Sequence, residues 1–217
     1  MLLIATLLLS TSCIKSIITG AVKDTPISNK VMLHSSPRVG DYAEYQLSAS
    51  AYDNPMQGET KVTVRIASKE KGLFRVVQKT TTTMPYGGFM NDIIIEILCD
   101  ASGNVKEGWL IDNETKEKTK LQIAKPGDQA YNMYRPFSAA GMKKYNIPTT
   151  VSVKAGKYSV KGITYTDEID AEKGATVVLL SSKVKFQQVA AYAIYKNAET
   201  GEVESKMTLE LIAQGNK

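Results

Sequence analysis

The sequence predicts a mainly β protein, built on an up-and-down antiparallel sheet of about eleven strands. Apolar and polar residues alternate along short segments, as they do in strands with one buried face. Turn-forming residues separate these segments at short intervals, which favours hairpins over long crossovers. The chain has 217 residues, 43% of them hydrophobic, which is enough for one domain with appendages.

The first half of the predicted sheet has a clear period of two. In residues 61–67, Val62, Val64 and Ile66 fall on one side of the strand, and charged or polar residues fall on the other. Turn signals such as Lys71-Gly72 end one segment and start the next. By these criteria, strands are predicted at residues 42–49, 61–67, 73–83, 93–98, 105–111 and 117–123.

Strand patterns resume in the second half of the chain, at residues 150–153, 157–166, 175–180, 189–196 and 204–213. Three segments, at 93–98, 177–180 and 189–195, are apolar on both faces. Because such strands have to be buried on both sides, something must cover the second face of this part of the sheet. The candidates are a second sheet, an aromatic insert and a lipid-like ligand.

The insert occupies residues 125–148 and has no strand periodicity. Structureless segments of this length in a compact domain are often functional, and this one is rich in aromatic residues. A short helix is predicted around residues 138–144. We expect the insert to pack over the sheet, either as a lid over a ligand site or as a plug. The residues assigned to this role are Tyr131, Met133, Tyr134, Phe137 and Met142.

The first twelve residues predict an export signal. Residues 1–9 form an apolar run, shorter than the roughly 20 residues that a membrane-spanning helix needs, and small residues follow at 10–12. This arrangement before Cys13 resembles the lipobox of bacterial lipoproteins, with Ser10 in the place of the usual Leu. The resemblance implies that Cys13 becomes the new N-terminus and receives acyl chains. The run lacks an initial Lys or Arg, so the sequence leaves open whether Met1 or an upstream codon is the natural start.

The chain is therefore predicted to have three parts: a signal peptide at 1–12, a lipidated tether at 13–38 and the β domain at 39–217. Residues 13–38 contain prolines, serines and no sustained period, which is typical of a flexible tether. The single histidine, His34, lies in it. We expect no catalytic or metal-binding role for His34.

The sequence offers little for catalysis or for cofactor binding. A Ser-His-Asp triad needs a histidine on the domain, and none follows His34. Cys13 and Cys99 have no neighbours at metal-ligand spacing. Cys99 ends an apolar run, as expected for an inert buried thiol, and no phosphate-loop or dinucleotide fingerprint occurs. We expect a protein that is not an enzyme and has no cofactor or metal.

The charge distribution argues against a nucleic-acid partner. The net charge is +5, but the 27 basic and 22 acidic residues are intermixed, and no basic run is longer than Lys143-Lys144. Nucleic-acid binding needs basic side chains clustered on one surface.

Two short motifs resemble a family of bacterial envelope proteins. Residues 150–158 (TVSVKAGKY) are similar to the element V-x-V-x-A-G-x-[FY]. Residues 39–45 (VGDYAEY) are similar to the element VG-x-Y-x-x-Y at the start of the domain. Both occur in proteins similar to the periplasmic lipoprotein carrier and its outer-membrane receptor, and the resemblance covers most of residues 39–215. Lys183-Val184-Lys185 stands where that family has a Val-Pro pair.

The resemblance implies a half-barrel, a curved sheet of about eleven strands whose concave side is covered by helices or loops. It also implies acyl-chain ligands, and it brings no catalytic residues. The departure at residues 183–185 makes it a better guide to the fold than to the ligand.

Two functional hypotheses follow, and the sequence leans towards the first. The protein is either an interaction or structural module displayed on the envelope, or a module that binds an acyl chain or other apolar ligand on the concave side of the sheet. The expected location is the bacterial cell envelope, with a lipid anchor in the outer membrane. The expected partners are the membrane, through the acyl chains, and an apolar ligand or an envelope or extracellular protein. The volume of any apolar cavity separates the hypotheses, because ligand pockets measure about 300 Å³ or more.

Overall fold

The computed structural model describes residues 23, 26–51, 54–55, 59–83, 89–125, 149–165, 174–197 and 199–217. Thirteen strands are assigned in this part of the chain. The first seven are β1 (Asp41–Ala51), β2 (Asn54–Pro55), β3 (Glu59–Glu70), β4 (Leu73–Thr83), β5 (Phe89–Cys99), β6 (Val105–Ile111) and β7 (Lys118–Lys120). The others are β8 (Thr150–Val153), β9 (Gly156–Ser159), β10 (Lys161–Tyr165), β11 (Gly174–Leu180), β12 (Gln188–Lys196) and β13 (Val203–Asn216).

Eleven of the strands form one antiparallel sheet. Its order is β10-β11-β12-β13-β1-β3-β4-β5-β6-β7, with β2 pairing beside β1. The sheet is curved and unclosed, so the predicted fold class is confirmed. The last strand pairs with the first, from Asp41 opposite Asn216 to Ala51 opposite Ser205, so the first and last strands are neighbours in the middle of the sheet.

Local sequence explains the hairpins. Between β3 and β4, Lys71 and Gly72 both have positive φ, at 50° and 83°. A two-residue turn with two positive φ angles matches the right-handed twist of its strands, and glycine adopts this conformation without steric cost. The predicted Lys71-Gly72 turn is therefore confirmed.

The sheet has two faces, which we call inner and outer. Residues paired across antiparallel strands project to the same face. Tyr45 pairs with Val62 on one side and with Leu211 on the other, and these side chains belong to the inner face. Gln46 pairs with Lys61 and Glu210, and these belong to the outer face.

The charged side chains on the outer face of β4 to β7 form ion pairs. Glu96 lies between Arg75 and Lys118, and the Lys118 Nζ to Glu96 Oε1 distance is 2.8 Å. Asp92 is 2.7 Å from Lys79. The lysine side chains of these pairs are about half exposed, so water weakens the attraction within each pair.

The predicted strand at 157–166 is two strands. β9 pairs only with β8, forming a separate two-stranded sheet, and β10 joins the edge of the main sheet. The break falls at Val160, which is buried and donates its N–H to the carbonyl of Thr149. The predicted strand at 117–123 also shortens to β7, because the chain beyond Lys120 turns towards the N-terminal segment.

The β8–β9 hairpin covers the outer face beside β1 and β13. The Nζ of Lys154 donates to Gln46 Oε1 at 3.0 Å, and the N–H of Ala155 donates to the carbonyl of Leu211 at 3.3 Å. Leu179 and Ala190 project to the outer face and are nonetheless buried. This small second sheet lies on the side where the apolar second face of β11 and β12 needs a cover.

The N-terminal segment corrects the predicted domain boundary. Residues 26–34, which we call the strap, pack against the sheet, with Ile27, Val31 and Leu33 each 9% exposed or less. Ile27 forms a parallel bridge with Ile123. The second half of the predicted tether at 13–38 thus belongs to the folded domain, because its apolar side chains find a place in the core. The signal peptide at 1–12 and the rest of the tether up to residue 22 lie outside the described residues.

Candidate ligand pocket

The floor of the pocket is the inner face of the central strands. Tyr45 and Leu47 of β1 lie beside Val62 and Val64 of β3, because the register pairs Tyr45 with Val62. On β4 the same face continues with Val76, which pairs with Ile97 of β5. On the other side of β1 the floor is completed by Met207 and Leu209 of β13.

Two irregular segments form the walls. The strap contributes Val31 and Met32, and the loop at residues 181–187 contributes Phe186, with Gln188 at the start of β12. The cavity between floor and walls has a volume of about 320 Å³ and is partly open to solvent. Most of its lining is aliphatic or aromatic, and its volume lies at the lower end of the range for small-molecule sites, about 300–1,000 Å³.

The lining contains no Asp, Glu, Lys, Arg or His among the described residues. Its polar side chains are Tyr45, Gln78, Thr80 and Gln188. The Tyr45 hydroxyl donates to the backbone carbonyl of Gln188 at 3.2 Å, so it fixes the start of β12 against β1. The pocket can therefore solvate an apolar group and offers a few neutral hydrogen-bonding groups.

A latch around Asp41 holds both walls to the sheet. The Asp41 side chain is fully buried. Its Oδ2 accepts hydrogen bonds from His34 Nε2 at 2.7 Å and from the Arg38 N–H at 2.8 Å. Its Oδ1 lies 2.9 Å from Lys185 Nζ and 3.1 Å from Asn216 Nδ2. The carboxylate thus joins the end of the strap, the 181–187 loop and the last residues of β13.

The electrostatics of the latch favour an ionised carboxylate. Burial by itself raises the pKa of Asp41, but the hydrogen bonds from His34, Lys185, the Arg38 backbone and Asn216 outweigh it. The pKa is held well below its ordinary value of 3.8. His34 Nδ1 accepts a hydrogen bond from the Ser36 N–H at 3.3 Å, so the Nε2–H of His34 is the donor to Asp41 Oδ2.

Backbone hydrogen bonds fasten the strap along its length. Ile27 donates to the carbonyl of Gln122 and accepts from the N–H of Ala124, each at 2.8 Å. Val31 donates to the carbonyl of Gly103 at 2.7 Å. A Cβ at Gly103, whose φ is +82°, would lie 1.9 Å from the Val31 carbonyl oxygen, so only glycine allows this approach.

The strap and the loop are also joined to each other. The N–H of His34 donates to the carbonyl of Lys185 at 3.1 Å, and the Gln187 side-chain amide donates to the carbonyl of Leu33. The two walls of the pocket therefore form one unit, held to the sheet by Asp41.

The outer face has a smaller and more polar pocket of about 230 Å³ beneath the β8–β9 hairpin. Its lining residues are Gln46, Ser48, Lys154, Thr208, Glu210 and Ile212. It lies between the Lys154 side chain and the main sheet and lacks the apolar lining that a lipid-like ligand needs.

The site residues predicted from sequence fall outside the described part of the chain. This applies to Cys13 and to the insert residues Tyr131, Met133, Tyr134, Phe137 and Met142. Cys99 is buried and forms no disulfide, as predicted. His34 was placed in the tether with no catalytic or metal-binding role expected. In the structure its Nε2 contacts Asp41 Oδ2 and forms part of the latch.

The residues that make the pocket were not predicted from the sequence. One signal was available: in β4, Phe74 and Val76 are followed on the same face by Gln78 and Thr80, and polar residues at inward positions indicate that the face lines a cavity there. The wall residues Val31, Met32 and Phe186 lie in irregular segments, where no period marks them.

Two larger features are absent from the described residues. Within them, no cluster of three or more His, Cys, Asp or Glu side chains could hold a metal ion. No helix in the same part of the chain is long and apolar enough to cross a membrane.

The fold has distant likenesses among solved structures. A proposed exported protein with a YmcC-like fold from Bacteroides fragilis aligns over 85% of this chain and 100% of its own, at 11% identity and a TM-score of 0.43. A proposed lipoprotein from Parabacteroides distasonis aligns over 85% and 99%, at 12% identity and the same TM-score. A proposed outer-membrane lipoprotein-sorting domain from Vibrio parahaemolyticus aligns over 82% and 85%, at 11% identity and a TM-score of 0.30.

No family profile and no curated protein matches the sequence. Structural likenesses at this level carry no argument about function, which rests on the geometry of the chain itself.

Proposed function

We propose that the protein is a lipid-anchored protein of the bacterial cell envelope that holds an apolar ligand, such as an acyl chain, in the inner-face pocket. In this proposal it binds and does not catalyse. The observation that carries it is the cavity of about 320 Å³ with its largely aliphatic lining. The sequence leaned towards an interaction module, and the cavity volume, which separates the two hypotheses, favours ligand binding.

The location rests on the N-terminal sequence. The apolar run at residues 1–9, the small residues at 10–12 and Cys13 are what an exported and acylated precursor needs. Each buried methylene of an acyl chain contributes about 0.8 kcal/mol to membrane binding, so two or three chains would anchor the protein stably. The outer membrane is the proposed site of the anchor.

Binding of an uncharged fluorescent probe, N-phenyl-1-naphthylamine, tests the proposal. The protein is the full chain with Cys13→Ser, so that no N-terminal acyl chain can occupy the pocket. Val64→Phe places a ring in the cavity, and Thr63→Phe places the same ring on the outer face of the same strand. We expect saturable binding that Val64→Phe weakens at least about tenfold, a loss of about 1.4 kcal/mol.

The matched control should bind the probe as the parent protein does. If the parent binds no probe, or if both Phe variants bind it equally, the pocket is not the site. The interaction module would then be the better hypothesis. Urea unfolding of each variant checks that the lost binding does not come from lost folding.

A further inference from the structure

Two polar side chains project into the pocket from one strand. Gln78 and Thr80 of β4 are two residues apart, so they lie on the same face, about 7 Å apart along the strand. Gln78 pairs with Val64 and Ile95, and Thr80 pairs with Val62 and Ile93. The pair is therefore a small polar site between apolar neighbours, and both side chains line the cavity.

Neither side chain forms a hydrogen bond with another described residue. Thr81, Thr82 and Thr83 of the same strand each make a side-chain hydrogen bond. Within the described part of the chain, Gln78 and Thr80 make none. A half-buried amide or hydroxyl without a protein partner needs water or a ligand atom to complete its hydrogen bonds.

The pocket also lacks a counter-ion. None of the lining residues in the described ranges is Asp, Glu, Lys, Arg or His. Transferring an ionised carboxylate or phosphate into such a site without a partner is strongly unfavourable. The ionised group of a charged ligand would have to stay outside, whereas a neutral oxygen could enter.

We infer that the pocket selects an uncharged chain that carries a neutral oxygen function, an ester or a hydroxyl, and that Gln78 and Thr80 form its hydrogen bonds. This rests on the proposed function and specifies the ligand class. The pocket thereby discriminates against free fatty acids at neutral pH. An apolar cavity of about 150 Å³ is known to hold benzene, so 320 Å³ suits a chain of about a dozen heavy atoms.

Displacement of N-phenyl-1-naphthylamine tests this inference with ligands of one chain length. The ligands are 1-decanol, methyl decanoate and sodium decanoate, each below its aggregation limit at pH 7.5. The proteins are the Cys13→Ser chain and the same chain with Gln78→Leu and Thr80→Val. Two neutral hydrogen bonds are worth roughly a factor of ten in affinity.

We expect decanol and the methyl ester to displace the probe from the parent protein, and decanoate to need at least about tenfold higher concentration. The double variant should bind the probe within about threefold of the parent and bind decanol and the ester about tenfold more weakly. The control is a double variant of two residues on the outer face, Thr63→Val with Lys79→Leu. It should leave the affinity for each of the three ligands unchanged.

The outcomes separate the two proposals. If the parent does not bind the probe, the proposed function fails. If the probe binds but decanoate competes as well as decanol, the discrimination against charge is wrong. If the double variant keeps full affinity for decanol and the ester, Gln78 and Thr80 are not the polar contact.

Discussion

At the scale of single residues, Asp41 joins three segments that are distant in sequence. Its partners include His34, seven residues before it, and Asn216, 175 residues after it. A buried carboxylate is stable only when hydrogen bonds and opposite charges compensate it. Removing its charge leaves Lys185 without its counter-ion and His34 without its acceptor. The latch is therefore expected to be essential for the stability of the pocket walls.

Asp41→Asn should lower the free energy of unfolding by about 3 kcal/mol at pH 7. The partly exposed pair of Glu44 and Lys61, with a 2.6 Å contact, provides the control. Glu44→Gln should cost at most about 1 kcal/mol. Urea unfolding of both variants measures the difference, and equal, small losses would mean that the latch is not a stabilising element.

The same latch predicts a pH dependence. Because the folded pKa of Asp41 lies below the ordinary value of 3.8, its contribution is present above that value and is lost as the pH falls through the range below it. The parent protein should lose more stability than Asp41→Asn between pH 4 and pH 2. Parallel curves of stability against pH for the two proteins would contradict the assigned pKa direction.

Cys99 should be unreactive in the folded protein. Burial and, to a smaller extent, the charge of Asp100 raise the pKa of its thiol to about 11. Because the thiolate is the nucleophile, very little of the reactive form exists at pH 8. With Cys13→Ser, a thiol reagent should modify one cysteine only after denaturant is added. Rapid modification without denaturant would show that Cys99 is exposed.

The burial of Cys99 could be predicted from the sequence and the burial of Asp41 could not, for a physical reason. Cys99 ends a run of apolar residues within one strand, so its burial follows from local pattern. Asp41 directly follows Gly40, and both are common turn residues, so the sequence alone indicates an exposed turn here. Its burial depends on His34, Lys185 and Asn216, whose approach is set by tertiary pairing and leaves no local trace.

At the scale of elements, the strands and the strap differ in how well sequence predicts them. A strand such as β4 is visible because its side chains alternate over eleven residues, and its predicted bounds match the structure. The strap contains only three buried apolar side chains in seven residues, at Ile27, Val31 and Leu33, without strand spacing throughout. It was therefore assigned to the tether.

Ile27→Ala tests the strap. The Ile27 side chain is 3% exposed, and its Cδ1 occupies the space beside Gly108. Removing it should cost about 2–5 kcal/mol of stability and weaken probe binding, because the strap carries Val31 and Met32. Lys30→Ala, on an exposed side chain of the same segment, should have little effect. If Ile27→Ala unfolds like the parent, residues 26–34 do not pack and the tether prediction holds.

At the scale of the whole molecule, the sheet order follows from pairings that no local signal reveals. Sequential hairpins predict β3 to β6 and β10 to β13 as two meanders. Pairing of β13 with β1 connects the two meanders into one sheet, and it brings together residues up to 175 positions apart in the sequence. The curved half-barrel came from the family resemblance, and the structure confirms that fold class. The walls of the pocket depend on this long-range strand pairing, which explains why the pocket itself was not predicted.

The anchor is a second property of the whole molecule. Cys13→Ser should move the protein from the membrane fraction to the soluble fraction of the cells that express it, because a protein without acyl chains loses its membrane affinity. Ser12→Ala, which keeps a small residue before the cysteine, is the control and should stay in the membrane fraction. Unchanged membrane association of Cys13→Ser would contradict the lipidation hypothesis.

Native mass spectrometry of the purified protein tests the claim that the inner-face pocket holds an apolar ligand. The Cys13→Ser chain is purified without detergent in its parent, Val64→Phe and Thr63→Phe forms. The claim predicts a one-to-one complex with a neutral, lipid-like mass in the parent and in Thr63→Phe, and its loss in Val64→Phe. A protein free of any such mass, which also takes up no added decanol, would contradict the claim, and so would a complex that survives equally in both Phe variants.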